Sequence, residues 1–190
     1  MLAEPILRVD LPVSDVAPVA PVGLRQLVSS GPLRLVLAFA DAREYVQHVT
    51  ALTRVPGSPD WLLGVFASSG YAVPLIDLAA WAHRIAPESW QASAGTTANS
   101  VGHLNALRFG DATHTWAIRT TRAPEVFDPQ IAKPLAVSTQ LPLQVSSDHG
   151  RLMQHAAEAW TLPAGGVALQ IRWAEVYDHL LQELGSANLA

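Results

Sequence analysis

The sequence predicts a mainly β protein, a barrel or sandwich of short strands with few helices. Short apolar runs recur along the chain, and Gly, Pro, Asp and Ser lie between them. The one longer segment with helical spacing lies near the C-terminus, at Arg172–Leu184. A chain of 190 residues is long enough to bury a core without disulfides or a structural metal.

Composition excludes several classes of function. The net charge is −4 and the twelve Lys and Arg are scattered, whereas nucleic-acid binding requires clustered positive charge. The absence of cysteine excludes disulfides and thiol catalysis. No signal peptide and no apolar run of membrane-spanning length is recognisable, so we expect a cytoplasmic protein without direct membrane insertion.

The first part of the chain begins with four prolines in residues 1–22, which predict an extended or mobile arm. Leu33–Phe39 reads as a strand. Asp41 and Glu44 have capping-box spacing, which predicts a short helix with Tyr45, Val49 and Leu52 on one face. A strand that continues to Val46 is the alternative interpretation of the same residues.

A turn, two strands and a helix cap are predicted next. Pro56, Gly57 and Pro59 mark the turn, and Ser68, Ser69 and Gly70 connect two strands. Pro74 lies in the second strand and predicts an edge or strand-end position, because proline cannot donate to a sheet. Asp77 can cap a short helix. The strands are Trp61–Phe66 and Tyr71–Ile76, and the helix is Leu78–Ile85.

Residues 86–100 are small, polar and turn-rich, and are interpreted as a linker. Two strands around Gly110-Asp111 follow it, and the prolines from Pro124 to Pro142 predict irregular structure. Another pair of strands is predicted around Asp148-His149-Gly150, and the C-terminal helix is expected to end before Gly185. The predicted strands are Leu104–Phe109, Thr115–Thr120, Leu143–Ser147, Arg151–His155 and Val167–Ile171.

The most informative segment is residues 55–78, VPGSPDWLLGVFASSGYAVPLIDL. Gly64 inside a strand predicts a bulge or a close backbone approach. Gly70 supplies the conformational freedom that a hairpin turn needs. None of these side chains is reactive, which indicates a shaped binding surface and predicts that the protein is not an enzyme.

This segment resembles the signature of the CheW-like family, the coupling proteins of bacterial chemosensory arrays. Upstream, the LRLVLAFADAREYVQ stretch resembles the family's second strand and the element that follows it. Over residues 55–78 the matching positions are Val55, Pro56, Gly57, Pro59, Trp61, Leu62, Gly64, Val65, Gly70, Val73, Pro74, Ile76, Asp77 and Leu78.

The resemblance implies two intertwined five-stranded barrels of the Src-homology type that share an apolar core. The first would span about residues 30–85 and the second, with the C-terminal helix, about 101–185. It also implies a non-catalytic adaptor without cofactor or metal, which binds the regulatory domain of a chemosensory histidine kinase and the cytoplasmic tip of a chemoreceptor.

The resemblance also implies which residues bind and which shape the fold. The expected protein-binding positions are Glu44, Gly64, Val65, Ser69, Gly70 and Val73; the expected structural positions are Pro56, Gly57, Trp61, Pro74 and Asp77. The family's arginine before the hairpin glycine is Ser69 here, and its asparagine two places earlier is Ala67. Near the C-terminus, Ile171-Arg172-Trp173 also departs from the family's acidic motif. Loss of the arginine predicts that Glu44 lacks its usual partner.

Two other functions remain open from the sequence. The chain could be a CheW-fold interaction module with a non-receptor partner, and the substitution at Ser69 favours this alternative. It could also be a hydrolase or metal-dependent enzyme that uses residues of its second half. The candidates are Ser146, Ser147, Asp148 and His149, and the histidine pairs His103–His114 and His149–His155, although no compact metal-ligand spacing is present.

Simpler interpretations also account for these residues. Glu44 could be a helix-start carboxylate, and the glycines and prolines of residues 55–78 could serve barrel geometry alone. Most of the six tryptophans are expected in the core, with Trp90 in the polar linker the least easily buried.

Overall fold

The computed structural model describes residues 23–83, 104–110, 115–136 and 149–187. These ranges contain eleven strands, two α-helices and one 3₁₀ helix. The strands are β1 Arg25–Ser30, β2 Leu33–Leu37, β3 Ala42–Val46, β4 Leu62–Ser68, β5 Tyr71–Ile76, β6 Asn105–Gly110, β7 Thr115–Thr120, β8 Glu125–Phe127, β9 Lys133–Leu135, β10 Ala156–Thr161 and β11 Val167–Ile171. The helices are α1 Leu78–Ala82, the 3₁₀ helix Gly150–His155 and α2 Trp173–Ala187.

The strands form two mixed sheets. Sheet 1 has the order β8-β1-β2-β11-β10-β9, and sheet 2 has the order β3-β6-β7-β5-β4. Each sheet contains one parallel pair, β2 with β11 in sheet 1 and β5 with β7 in sheet 2. The parallel pairs join strands from distant parts of the chain, so strands that precede and follow residues 84–103 contribute to both sheets.

This arrangement confirms the predicted fold class, mainly β with short helices and one helix at the C-terminus. Sheet 2 has the expected five strands, whereas sheet 1 has six because β8 and β9 add short edge strands from the proline-containing segment that was expected to be irregular. The proposed boundaries of about 30–85 and 101–185 stay a prediction, and the arm at 1–22 and the linker at 86–100 lie outside the described residues.

The largest buried cluster contains side chains from both sheets and from all three helical segments. Leu35 and Leu169 come from sheet 1, Ile118 from sheet 2, and Trp81 and Leu152 from α1 and the 3₁₀ helix. Trp81 is only 1% exposed. Because one core connects the elements, removal of a large core side chain is expected to affect both sheets.

Several local predictions were wrong. The Asp41–Glu44 capping box does not start a helix, and β3 matches the alternative strand that reaches Val46. Pairing with β6 overrides the helical signal, because propensity is weak beside tertiary contacts. The edge position predicted for Pro74 is also wrong, because β5 has a neighbouring strand on each side. Pro74 pairs with Val65 of β4, and β5 pairs with β7 only at Leu75 and Ile76, after the proline.

Two further differences concern the C-terminal part. Arg151–His155 is a 3₁₀ helix rather than a strand, and the described strand that follows it is β10. Gly185 does not end α2, which continues to Ala187. By contrast, the strands Tyr71–Ile76, Thr115–Thr120 and Val167–Ile171 have the predicted bounds. In the described residues, no helix is long and apolar enough to cross a bilayer.

Candidate functional site: the β4–β5 hairpin and the Glu44 cluster

The hairpin between β4 and β5 closes through a two-residue turn at Ser69-Gly70. Ser68 and Tyr71 are the last cross-strand pair before it. Both turn residues have positive φ, 50° at Ser69 and 81° at Gly70, which is the requirement of a type I′ turn and matches the twist of the strands. The turn therefore places Ser69, Gly70 and Tyr71 at an exposed tip, where Tyr71 is 41% exposed.

Gly64 produces a bulge in β4, as the sequence predicts. The register shifts between Leu62 and Gly64, and Gly64 has a φ of 146°. A Cβ atom at this position would lie 2.5 Å from the carbonyl oxygen of Thr53. Thr53 forms a bridge with Val65, with backbone hydrogen bonds of 2.7 and 2.8 Å. Gly64 thus permits the chain before the hairpin to cross β4 closely.

The two faces of the hairpin differ in burial. On the inner face, Phe66 pairs with Val73, and both are buried in a cluster within sheet 2. Val73 is 0% exposed and its side chain fills the core, so its place among the protein-binding positions stays a prediction that its side chain cannot meet by direct contact. Its contribution to binding can only be indirect, through the shape of the hairpin.

The outer face is uncharged and built from small apolar residues. Val65 pairs with Pro74, and Ala67 pairs with Ala72. Val65 and Pro74 are half-buried, whereas the two alanines are exposed. A face of this composition has few rotamers to fix and no charge to desolvate when another protein packs against it.

Glu44 lies in β3 and is not without a partner. Its Oε2 is 2.9 Å from Nε of Arg108, which is its cross-strand neighbour on β6. The same oxygen accepts hydrogen bonds from Oγ of Ser68 at 3.1 Å and Oγ of Ser69 at 3.4 Å. Glu44 lacks the family arginine, as the sequence predicts, but it is not unpaired, because Arg108 supplies a positive charge from another strand.

These contacts also close sheet 2 on itself. Glu44 belongs to the first strand in the sheet order and Ser68 to the last. A hydrogen bond between them shows that the sheet curls until its two edges meet. We call the group Glu44, Ser68, Ser69 and Arg108 the Glu44 cluster. It lies at one end of the uncharged hairpin face, so a charged and an apolar surface adjoin.

Asp77 fixes the other end of the hairpin. Its Oδ1 accepts from the backbone N–H of Ala80 at 3.0 Å, which confirms the predicted helix cap. Its Oδ2 accepts from the guanidinium of Arg119 on β7 at 3.0 Å, and its own N–H donates to the carbonyl of Trp61. The side chain of Asp77 is only 7% exposed. Asp77 therefore joins the hairpin, α1 and β7.

Trp61 and Gly57, two of the expected structural positions, lie in the core and in a turn. Trp61 is 9% exposed and belongs to the main core. Gly57 has a φ of 72° in an exposed turn, directly after Pro56. Four of the five described tryptophans are buried and Trp173 is half-buried, as expected of mainly core residues, while Trp90 lies outside the described residues.

The hydrolase and metal alternatives depend on residues that the structure describes only in part. Ser146, Ser147, Asp148, His103 and His114 lie outside the described residues, and His149 is 3% exposed beside the 3₁₀ helix. Among the residues that the structure does describe, no group of three or more His, Asp or Glu side chains could hold a metal ion.

A surface groove of about 220 Å³ lies elsewhere, and aromatic rings form most of its lining. Asp41 is the carboxylate among its lining residues.

Sequence reasoning missed Arg108 and Ser68. Arg108 lies outside the recognised family signature, and Ser68 lies inside it but was assigned only to the hairpin connection. Their relation to Glu44 depends on pairing between β3 and β6 and on closure of the sheet. The alternation of residues in a predicted strand places Arg108 on a face, but only the register shows which residue lies opposite it.

Two comparisons with known proteins concern the part of the chain that contains this hairpin. A profile described as the CheW-like domain matches residues 26–101. Among solved structures, the chain is similar to the scaffolding protein TtCheW from Thermoanaerobacter tengcongensis, at 12% identity and a TM-score of 0.50, over 79% of this chain and 84% of that chain. No curated protein matches the chain significantly. The structural likeness concerns the fold. The domain match covers the hairpin and, of the Glu44 cluster, Glu44, Ser68 and Ser69, whereas Arg108 lies outside it.

Proposed function

Since residues 26–101 carry a CheW-like domain and the fold is that of a CheW scaffolding protein, we propose that the protein is a non-catalytic scaffold of a bacterial chemosensory system, located in the cytoplasm. It couples a histidine kinase to chemoreceptors by holding them in a fixed geometry. The observation that carries this proposal is the uncharged outer face of the β4–β5 hairpin, formed by Val65, Ala67, Ala72 and Pro74.

The physical basis of coupling would be differential contact free energy. A scaffold that contacts two partners changes their relative populations of states only if its contacts differ between those states. An interface of standard size buries about 800 Å² per partner. The outer face of the hairpin, the exposed Tyr71 and the Glu44 cluster together provide a surface that is partly apolar and partly charged. The kinase regulatory domain is the partner that we assign to the apolar part.

The experiment is titration calorimetry of the full chain against the regulatory domains of chemosensory histidine kinases from the same organism. We expect a complex of micromolar or higher affinity that weakens at least tenfold in Ala67→Asp and Val65→Asp. Ala67 is exposed, so its variant should fold, whereas half-buried Val65 also contacts Thr53.

The matched control is Val126→Asp. Val126 lies on β8 in sheet 1 and is 69% exposed, so the same charge is introduced on the other sheet. Equal affinity for Val126→Asp and the unaltered chain supports an interface on the hairpin. Loss of binding only in Val126→Asp would move the interface to sheet 1, and no binding to any kinase domain would overturn the kinase assignment.

A second candidate function is a CheW-fold module whose partner is not a chemoreceptor. Ser69 favours it, because the family arginine is absent at the hairpin tip and Glu44 is already neutralised by Arg108. Comparison of receptor-tip binding by the unaltered chain and by Ser69→Arg distinguishes the two. Binding by the unaltered chain supports receptor coupling, and binding that appears only in Ser69→Arg supports the divergent module.

A further inference from the structure

A network of hydrogen bonds connects the 3₁₀ helix to α2. His155 lies at the end of the 3₁₀ helix and His179 in the middle of α2, and their facing ring nitrogens, Nε2 of His155 and Nδ1 of His179, are 3.4 Å apart. Both rings pack against the indole of Trp81, with centroid distances of 6.2 and 5.4 Å. The side chain of His155 is 10% exposed and that of His179 is 34% exposed.

The outer nitrogens of the two rings face carboxylates. Nδ1 of His155 is 3.3 Å from Oε2 of Glu175, and Nε2 of His179 is 3.5 Å from Oε1 of Glu183. An ionised carboxylate can only accept, so each of these nitrogens must carry the hydrogen. Neutral His155 is therefore the Nδ1–H tautomer, and neutral His179 is the Nε2–H tautomer.

The inner nitrogens then both carry lone pairs, and one amide group serves both. Nε2 of Gln154 is 3.1 Å from Nε2 of His155 and 3.4 Å from Nδ1 of His179. A side-chain amide nitrogen has two hydrogens, and one can be donated to each imidazole. The arrangement is complete only when both rings are neutral, because a proton on either inner nitrogen would place two donors against each other.

We propose that Gln154, His155 and His179 form a pH-sensitive latch between the 3₁₀ helix and α2, closed when both imidazoles are neutral and opened when one of them takes up a proton. Protonation turns an acceptor toward the Gln154 amide into a donor. The amide must then rotate to present its carbonyl oxygen to the protonated ring or lose its contact with that ring; if it does not rotate, the new N–H has only the facing nitrogen of the other ring, 3.4 Å away, as acceptor. Two protonated rings at this separation would also repel each other.

The charged groups around the latch hold its outer ends in place. Glu175 also accepts from Arg172, just before α2, and Glu183 from Arg151 of the 3₁₀ helix. The hydrogen bond from Arg172, and then the one from His155, hold the pKa of Glu175 below its ordinary value, so this carboxylate remains ionised as the imidazoles titrate. The guanidinium of Arg151 lies over the ring of Trp81. This uncharged ring is the side chain through which α1 contacts the two histidines.

The test is nuclear magnetic resonance of the ¹⁵N-labelled full chain between pH 8 and pH 5. At pH 8 we expect the Nδ1–H tautomer for His155 and the Nε2–H tautomer for His179. As the pH falls over this range, the side-chain amide signals of Gln154 should shift, and amide hydrogen exchange in α2 should increase several-fold after correction for intrinsic rates.

Two variants of Gln154 and one control separate the latch from simple packing. Gln154→Met should abolish the pH-dependent change in α2 exchange. Gln154→Glu presents only acceptors, so it should move the imidazole midpoints to higher pH. Gln182→Met alters another exposed glutamine, on α2, and should behave as the unaltered chain does. Identical Nε2–H tautomers for both histidines, or Gln154 signals that are constant from pH 8 to pH 5, would overturn the proposal.

Discussion

The carboxylate of Glu44 and the guanidinium of Arg108 face each other across the β3–β6 pair, with Oε2 and Nε 2.9 Å apart. Arg108 is 15% exposed and Glu44 is 38% exposed, so the pair is partly shielded from water. The hairpin tip adds the hydroxyls of Ser68 and Ser69 to the same oxygen. A single carboxylate therefore contacts both edge strands of sheet 2 and adds a charge beside the hairpin.

A double-mutant cycle measures this interaction. For Glu44→Gln, Arg108→Gln and the double variant, we expect a coupling free energy of about 0.5–1 kcal/mol in urea unfolding, the range of cross-strand ion pairs that solvent reaches in part. Arg108→Gln should cost more than Glu44→Gln, because glutamine at 44 can still accept from the serines. A coupling energy of zero would show that the geometry has no energetic consequence.

Gly64→Ala should destabilise the protein by roughly 2–4 kcal/mol, since the new Cβ would meet the carbonyl of Thr53 and the backbone has a left-handed φ. The matched control is Gly57→Ala, where φ is also positive but no atom lies within 4 Å. That variant should lose only about 1 kcal/mol, the cost of a non-glycine residue in this conformation. Equal losses in the two variants would contradict the close approach at Thr53.

The two oxygens of Asp77 can be tested separately. Asp77→Asn keeps an acceptor for the N–H of Ala80 but removes the charge that faces Arg119, whereas Asp77→Ala removes both. We expect losses of about 1–2 kcal/mol for the asparagine and about 2–4 kcal/mol for the alanine in chemical denaturation. An asparagine variant as unstable as the alanine variant would show that the cap contributes nothing.

Gly185→Ala should stabilise the protein by as much as about 1 kcal/mol. Gly185 lies inside α2, and no atom would contact an added Cβ within 4 Å. Alanine reduces the conformational freedom of the unfolded chain and has the higher helix propensity. The thermal midpoint should rise, and a lower midpoint would indicate that the helix ends at Gly185, as the sequence alone predicts.

The lowered pKa of Glu175 predicts a dependence of stability on pH. A carboxyl group with a folded-state pKa below its unfolded value contributes stability above the unfolded pKa, and that contribution is lost as the pH falls through the folded pKa. Stability should thus decline at pH below about 4.3, and Glu175→Gln should make that decline less steep. The comparison is urea unfolding at successive pH values, with Glu125→Gln, an exposed carboxylate in sheet 1, as control.

The sequence determined the hairpin and its cap. The turn at Ser69-Gly70, the irregularity at Gly64 and the cap at Asp77 each depend on residues within a few positions of one another, and local chemistry restricts them to one geometry. The resemblance in residues 55–78 could therefore be recognised from the letters alone, and the bounds of β5 followed.

Tertiary structure alone decided the rest. The parallel pairs β2–β11 and β5–β7 join strands far apart in sequence. The antiparallel pair β3–β6 also joins distant segments, and its register selects Arg108 as the partner of Glu44. The same pairing turned a segment with helix-cap spacing into β3, and burial of Val73 removed it from the surface. The physical reason is that long-range pairing depends on the hydrophobic faces and backbone groups of whole strands, which outweigh the local preferences of single residues.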